Sequence, residues 1–215
     1  MKMDTEFFEK YGWDRQVDPW LDQLQNMPPE LPNAYRIWKS AQRYLAAGNF
    51  ERAKRCEVLI KLLHNSYIPN ELKMGKDVQF GYGGMGVIIH PLCEIGDGVV
   101  IGSNVTLGGK QKPTRISEAT GRNVNVPSIG AYASVSTGAK ILGGVEVGPF
   151  AIIGANSVVT KDVPAGGIVA GIPSRLLSTI DRTSVLKYKQ TYLALRRLSD
   201  EDFLSHFDNY IAASA

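Results

Sequence analysis

Aliphatic residues return at every sixth position along about half of the chain, from about residue 74 to residue 177. A small residue usually follows each of them, and another small or apolar residue comes four positions later. A period of six fits neither a single amphipathic helix nor an alternating strand. It is typical of a chain wound into a triangular prism, with one hexapeptide on each face and each coil burying the aliphatic side chains of the next. The repeated aliphatics are Ile95, Ile101, Leu107, Ile129, Val135, Ile141, Val147, Ile153 and Val159.

The extent of this repeat divides the chain into three segments. We expect an α-helical N-terminal domain at 1–72, a parallel β-helix at 73–177 and a C-terminal helical extension at 178–215. In the extension, 183–198 reads as a helix. A last helix could cover the open end of the prism, where an exposed strand edge invites pairing. The fold class is therefore mainly β with helical ends.

Two helices are predicted before the repeat. Asn33 suits the N-cap of a helix over 34–47, and Asn49 suits the N-cap of a second helix over 50–64. Gly48 is a helix terminator between them. Because the connection is so short, the pair should fold as a helical hairpin.

Two breaks in the six-residue period predict loops that leave the prism at its corners. Phe80 to Ile89 is nine steps rather than six, through a glycine-rich run. Leu107 to Ile129 is twenty-two steps, so 110–126 forms a long, polar and basic extruded loop. Long loops in compact domains are more often functional than not.

Bulk composition narrows the function classes. The chain has 215 residues and a net charge of +3, without the basic stripe of a nucleic-acid-binding protein. No apolar run is long enough for a signal peptide or a membrane span. Cys56 and Cys93 lack the spacing of a zinc site and suggest free thiols in a reducing compartment. We therefore expect a cytoplasmic protein.

His90 is the candidate catalytic residue. The chain has three histidines, and only His90 falls within the repeat, in a slot that small residues fill elsewhere. An imidazole there must point away from the core, where it could serve as a general base, since the ordinary pKa of histidine lies near neutrality. The alternative is a surface histidine bonded to a loop carbonyl.

The glycine pair Gly108–Gly109 is predicted to lie beside this histidine. One coil is eighteen residues, so Gly108 stacks on His90 at about 4.8 Å along the prism axis. The missing side chains leave room for a reacting group, and the backbone N–H groups could bind a developing oxyanion. Alternatively, these glycines only ease the exit of the loop. The partner that orients the imidazole stays open between Glu94, Asp97, a more distant Asp77 and a backbone carbonyl.

Several strings resemble the hexapeptide-repeat acyltransferases, and within them the serine acetyltransferase branch. They are Ile89-His90-Pro91, Val105-Thr106-Leu107-Gly108-Gly109, Gly138-Ala139-Lys140-Ile141-Leu142-Gly143 and Ala170-Gly171-Ile172-Pro173-Ser174-Arg175. The resemblance covers about half of the chain. It implies a left-handed parallel β-helix, a homotrimer with active sites between subunits, acetyl-CoA as co-substrate without a metal, and a histidine as general base.

The resemblance also assigns cofactor-binding residues. Gly138, Ala139, Ala170 and Gly171 would line the arm of coenzyme A, next to the room left by Gly108 and Gly109. Lys161 and Arg175 are candidates for its phosphates. For either cation, a solvated surface position is the alternative.

Departures from the serine acetyltransferase pattern bear on the acceptor. The Asp-His-Ala-Thr-Gly string of that branch is absent, and Asn125 and Val126 stand where it has an Arg-His pair. We therefore expect a carbohydrate hydroxyl, such as that of a surface polysaccharide, as acceptor. Tyr82 could stack on a sugar ring or pack on the helical domain. Lys110 and Arg115 could hold an anionic acceptor or simply keep the loop soluble.

Three other functions remain open. The first is serine O-acetylation, the second a zinc enzyme of the carbonic anhydrase type, which needs several histidines, and the third a non-catalytic scaffold.

Overall fold

A computed structural model of the chain describes residues 31–111, 115–116 and 123–212. The chain divides into two compact units, Met1–Leu31 and Pro32–Ala215, and every element below belongs to the second. Residues 1–30 of the expected N-terminal domain lie outside the described residues.

The helical hairpin before the repeat is confirmed. Helix α1 is Ala34–Ala46 and helix α2 is Phe50–His64. Each begins at an asparagine whose side chain accepts a backbone N–H of the first turn, at 2.9 Å for Asn33 and 3.1 Å for Asn49. These caps satisfy donors that a helix start leaves unpaired. Trp38 anchors the hairpin to the following chain, because its Nε1–H donates to the Pro69 carbonyl at 3.1 Å.

The residues after the hairpin form a three-sided prism. Each face is a sheet whose strands, one from each coil, run parallel to one another. Face A comprises β3 (Ile88–Ile89), β6 (Thr106–Gly108), β11 (Lys140–Leu142) and β14 (Val158–Val159). Face B comprises β1 (Lys73–Met74), β4 (Glu94–Ile95), β9 (Ser128–Ile129) and β12 (Glu146–Val147). Face C comprises β2 (Gln79–Phe80), β5 (Val100–Ile101), β10 (Ser134–Val135), β13 (Ile152–Ile153) and β15 (Gly167–Gly171), closed by the antiparallel β16 (Ser174–Thr179).

Strand register shows where the two loops leave the prism. Ser128 pairs with Glu146, eighteen residues later, which is one regular coil. Glu94 pairs with Ser128, thirty-four residues later, so the extruded loop adds sixteen residues to its coil. Gln79 pairs with Val100, twenty-one residues later, so the glycine-rich corner adds three. Both insertions fall between strands, and the coils on either side keep their pairing.

The repeated aliphatic residues fill the prism interior. Ile89, Leu107 and Ile141 stack beneath face A with no exposed area. Burying each such side chain stabilises the fold by about 1.5–3 kcal/mol. The small residues four positions later, such as Ala133 and Ala139, are equally buried, because the corners leave little space for a larger side chain.

The C-terminal segment differs from expectation. The helix predicted over 183–198 is a short 3₁₀ helix, Val185–Thr191, followed by turns. Tyr192 interrupts it, since its ring is fully buried and its hydroxyl donates to the Phe150 carbonyl at 2.9 Å. Helix α3, Asp200–Ala212, packs through Phe203 and Phe207 on Phe150, which lies at a corner of the prism and not at its open end.

Among the described residues, no helix is both long and apolar enough to cross a membrane.

Candidate active site

His90 follows β3 where the chain turns from face A to face B. Its backbone N–H donates to the Leu107 carbonyl at 2.9 Å, which places it beside Gly108 on the next coil, as the eighteen-residue repeat predicts. Its side chain is half-buried and points off the corner. The Gly108 carbonyl in turn accepts from Gly143 on the third coil, at 2.8 Å. The coil stacking therefore fixes this corner through three successive turns of the prism.

The hydrogen bond of the His90 ring differs from expectation. Nδ1 accepts from the backbone N–H of Leu92 at 3.2 Å. A nitrogen that accepts carries no proton, so in this orientation the neutral ring is protonated at Nε2. Nε2 has no hydrogen-bond partner within the described parts of the chain.

Neither nearby carboxylate orients this ring. Glu94 forms an ion pair with Lys73 at 2.7 Å on face B. Asp97 accepts the backbone N–H of Lys76 at 2.7 Å, at the corner between faces B and C. Glu94 and Asp97, two of the candidates that the sequence offered, are thus engaged elsewhere.

The base of the extruded loop lies against His90. A Cβ added to Gly109 would meet Val126 Cγ1 at 3.1 Å, the Asn125 carbonyl oxygen at 3.2 Å and His90 Cδ2 at 3.4 Å. The loop is closed by two hydrogen bonds, from Lys110 N–H to the Asn125 carbonyl at 2.9 Å and from Asn125 Nδ2 to the Lys110 carbonyl at 3.0 Å. Asn125 and Val126 therefore belong to the site. The sequence signal for them was their position where the loop rejoins the repeat.

Beyond its base, the loop forms a two-stranded antiparallel arm. Strand β7, Arg115–Ile116, pairs with β8, Asn123–Val124. Lys110 is exposed at the foot of the arm, next to the His90 corner. The structure places the backbone of Arg115 in β7, whereas its side chain lies outside the described part.

Tyr82 lies away from His90 within one chain. It occupies the corner between faces C and A, and β3 separates it from the His90 corner. Its side chain is 82% exposed, so it does not pack on the described part of the helical domain.

Most of the predicted cofactor residues lie across face A from His90. Gly138, Ala170, Gly171 and Arg175 are at or near the corner between faces C and A, where the Gly171 N–H donates to Ser157 Oγ at 3.2 Å. The Arg175 guanidinium is exposed and bonds only its neighbouring Ser174 carbonyl among the described residues. Lys161 is exposed at the His90 corner, three coils further on. In one chain, His90 and most of the predicted cofactor residues therefore lie on opposite edges of face A.

Two of these residues have structural roles. The Ala139 methyl is completely buried in the prism, and its backbone N–H and carbonyl bond Ser136 and Thr106. The prediction that Ala139 lines a cofactor groove is therefore not supported. Gly138 has φ of 77°, and the Asn156 side chain occupies the space beside it. The Lys140 ammonium also covers this corner, donating to the Asn104 and Gly138 carbonyls at 2.7 and 3.0 Å.

The Cys93 thiol lies behind the site, and its buried position makes it unreactive. Cys93 N–H donates to the His90 carbonyl at 3.0 Å, and its side chain is buried in the core. Burial raises the pKa of the Cys93 thiol to about 12. The neutral thiol is therefore a packing residue and not a nucleophile.

A large groove of the described surface lies elsewhere. Its volume is about 910 Å³, and it runs along face B between Trp38 of α1 and Pro149. No histidine or cysteine lines it. The groups suited to acyl transfer are at the His90 corner, so we assign the candidate active site there. Among the described residues, no three His, Cys, Asp or Glu side chains are grouped as a metal site would require.

Comparison with known proteins was made against families, curated sequences and solved structures. No family model matches the chain. A serine acetyltransferase from Bacillus pumilus is 47% identical over 94 residues, covering 44% of this chain and 40% of the relative. The β-helical part of this chain is similar to serine acetyltransferases. The chain spans less than half the length of the curated relatives that it matches.

Solved structures extend this likeness. A serine acetyltransferase in complex with CoA has a TM-score of 0.56 and 28% identity, over 67% of this chain and 55% of the other. Soybean serine acetyltransferase complexed with serine has a TM-score of 0.56 and 30% identity, over 67% of this chain and 56% of the other. The expected fold class, a left-handed parallel β-helix with helical ends, is confirmed.

The predicted carbohydrate acceptor is wrong on this comparison. The curated relatives and structural neighbours are serine acetyltransferases, which supports the alternative of serine O-acetylation. The absence of the Asp-His-Ala-Thr-Gly string and of the Arg-His pair therefore does not exclude serine as the acceptor.

Proposed function

We propose that this chain transfers the acetyl group of acetyl-CoA to the hydroxyl of serine. The observation that carries the proposal is the 47% identity over 94 residues to a serine acetyltransferase. The corner where His90, Gly108 and Gly109 meet supplies groups suited to this chemistry. The related structures with CoA and with serine support both substrates.

His90 is the proposed general base. Nε2 takes the proton of the serine hydroxyl as Oγ attacks the thioester carbonyl carbon. The C–O bond forms, the C–S bond breaks, and the departing thiolate receives the proton back from Nε2. The products are O-acetylserine and free coenzyme A. A base of this kind contributes about 10²–10⁴-fold to the rate.

Gly109 is the proposed oxyanion donor. It is exposed beside the His90 ring, and its N–H donates to no group in the described parts of the chain. A backbone N–H aimed at the developing charge stabilises the tetrahedral intermediate without any reorganisation. Gly108 leaves the space in which the thioester lies.

Lys110 is the proposed cation for the serine carboxylate. Its ammonium is exposed at the foot of the arm and has no partner among the described residues. Arg115, further along the arm, is a second candidate. In the serine acetyltransferase pattern an Arg-His pair stands where this chain has Asn125 and Val126. We propose that Lys110 or Arg115 supplies the positive charge that this pair would have given.

We further propose that the cofactor binds between copies in a homotrimer. The His90 corner and the corner carrying Gly138, Ala170, Gly171 and Arg175 lie on opposite edges of face A. Two neighbouring copies could bring unlike edges together, and Lys161 and Arg175 would then meet the phosphates. Light scattering of the purified protein tests the oligomeric state, and a monomer that turns over would contradict it.

The activity test uses serine and acetyl-CoA. Free thiol is measured by absorbance, and O-acetylserine is identified by mass spectrometry. His90→Ala should fold normally and lose about 10²–10⁴-fold in kcat/KM. His206→Ala is the matched control, because His206 is exposed on α3. Absence of O-acetylserine with wild-type protein, or undiminished turnover by His90→Ala, would contradict the proposal.

A further inference from the structure

Two backbone groups of opposite polarity flank the His90 ring. On one side, the Leu92 N–H donates to Nδ1. On the other side, His90 Cδ2 and the Asn125 carbonyl oxygen lie 3.4 and 3.2 Å from one point, where a methyl group on Gly109 would sit. A half-turn about the Cβ–Cγ bond exchanges Nδ1 with Cδ2. It therefore carries Nδ1 away from the Leu92 donor to the place now held by Cδ2, on the edge of the ring next to Gly109, where the Asn125 carbonyl is the acceptor at hand.

The two ring orientations require different tautomers. Facing the Leu92 N–H, Nδ1 must be bare, so the neutral ring carries its proton on Nε2 and Nε2 can only donate. Facing the Asn125 carbonyl, Nδ1 must carry the proton, which leaves Nε2 bare and able to accept one. Only the second orientation can take the serine proton.

We infer that the main-chain carbonyl of Asn125 is the positioning group that holds His90 in its base form. The inference rests on the proposed function. It means that the extruded loop, besides bordering the acceptor, sets which nitrogen of the imidazole is protonated. The Leu92 N–H holds the ring in the resting form, and the loop carbonyl holds it in the reactive form.

Hydrogen bonds at the base of the extruded loop hold the Asn125 carbonyl in place. The Asn125 carbonyl is fixed by the N–H of Lys110 at 2.9 Å, and the Asn125 side chain is tied back to the Lys110 carbonyl at 3.0 Å. A carbonyl oxygen has two lone pairs, so it can accept from Lys110 and His90 at once. The Val126 side chain, 9% exposed, closes the same space from water. Glu94 and Asp97, the nearby carboxylates, are engaged elsewhere.

The tautomer can be read directly by nitrogen NMR on histidine-labelled protein. The chain has only three histidines, and His90→Ala assigns the signal of interest. His64 is an internal reference, because its Nε2 lies 2.9 Å from the Pro32 carbonyl and must donate. Free wild-type protein should show the Nε2–H pattern at His90. With coenzyme A and serine bound, the pattern should change to Nδ1–H.

Gly109→Ala tests the role of Asn125, because its methyl would press on both the Asn125 carbonyl oxygen, at 3.2 Å, and His90 Cδ2, at 3.4 Å. We expect His90 to keep the Nε2–H pattern with both ligands bound, and kcat to fall at least 10-fold while KM for serine changes less than 2-fold. Ile88→Ala is the control, since its side chain is half-exposed on β3 and the change leaves both backbone groups and Gly109 in place. It should keep the wild-type change of tautomer.

The outcomes separate this inference from the proposed function. A wild-type enzyme that turns over while His90 stays Nε2–H in the ligand-bound state would overturn the role of Asn125 alone. Gly109→Ala with wild-type kcat would do the same. A wild-type protein that forms no O-acetylserine would instead overturn the proposed function.

Discussion

Gly138→Ala should destabilise the fold measurably, although it adds only one methyl group. Gly138 has φ of 77° at the corner between faces C and A. An alanine in this left-handed region costs about 1–2 kcal/mol relative to the right-handed one. The added Cβ would also collide with Asn156 Oδ1. Two separate penalties therefore act at one residue.

The second penalty is the smaller one. Asn156 is exposed, and the colliding atom is the end of its side chain, so a change of rotamer relieves the collision. A displaced rotamer costs about 0.5–1.5 kcal/mol. The expected total is about 1.5–3.5 kcal/mol, with the backbone strain as the larger share. In a chain of this size, 2 kcal/mol lowers Tm by about 4–8 °C.

A double-mutant cycle in urea separates the two penalties. Asn156→Gly removes the side chain and suits the positive φ of 55° at that position. Combined with Gly138→Ala, it should recover only the collision, about 0.5–1.5 kcal/mol. Thr137→Ser, on the exposed neighbour, is the control; it keeps the hydroxyl that accepts from Ser103 Oγ and should stay within about 0.5 kcal/mol of wild type. A Gly138→Ala variant as stable as wild type would refute the strain argument.

Three further predictions concern a buried core side chain, the reactivity of the Cys93 thiol and the effect of the Asp181 carboxylate on acid stability. Ile141→Ala should cost about 2–5 kcal/mol in urea unfolding, because this side chain is fully buried, whereas the half-buried Thr106→Ala should cost far less. Cys93 should resist Ellman's reagent at pH 8 in the folded protein, because burial raises the pKa of its thiol to about 12. The same thiol should react once the protein is unfolded, and rapid labelling of Cys93 in the native protein would contradict this. The pKa of Asp181 is lowered from 3.8 to about 2, chiefly by hydrogen bonds from the Thr183 and Ser184 side chains. Because the pKa of Asp181 is lowered on folding, the ionised carboxylate stabilises the fold above pH 4, and this stabilisation is lost as pH falls towards 2. Asp181→Asn should therefore flatten the decline in the free energy of unfolding between pH 4 and pH 2. A variant whose stability declines as steeply as that of wild type over this range would argue against it.

The sequence by itself determined the prism and the place of its loops. A six-residue period has one economical solution, in which every coil buries the aliphatic residues of the next, and eighteen residues per coil follow from three faces. That count alone placed Gly108 next to His90. The helix caps at Asn33 and Asn49 were also readable, because capping depends on a few neighbouring residues.

Only the tertiary structure decided which groups meet at the site and which do not. The hydrogen bond to His90 Nδ1 comes from the Leu92 backbone, and Asn125 arrives from the far end of a loop, so neither contact leaves a trace in residue type. Ala139 matched a motif, yet it is buried in the prism, because a motif does not say which way a side chain points. Tyr192 ended a predicted helix since burying its ring against Phe150 outweighs local helix propensity. Local sequence specifies repeats and caps, whereas contacts between distant segments depend on how the coils stack.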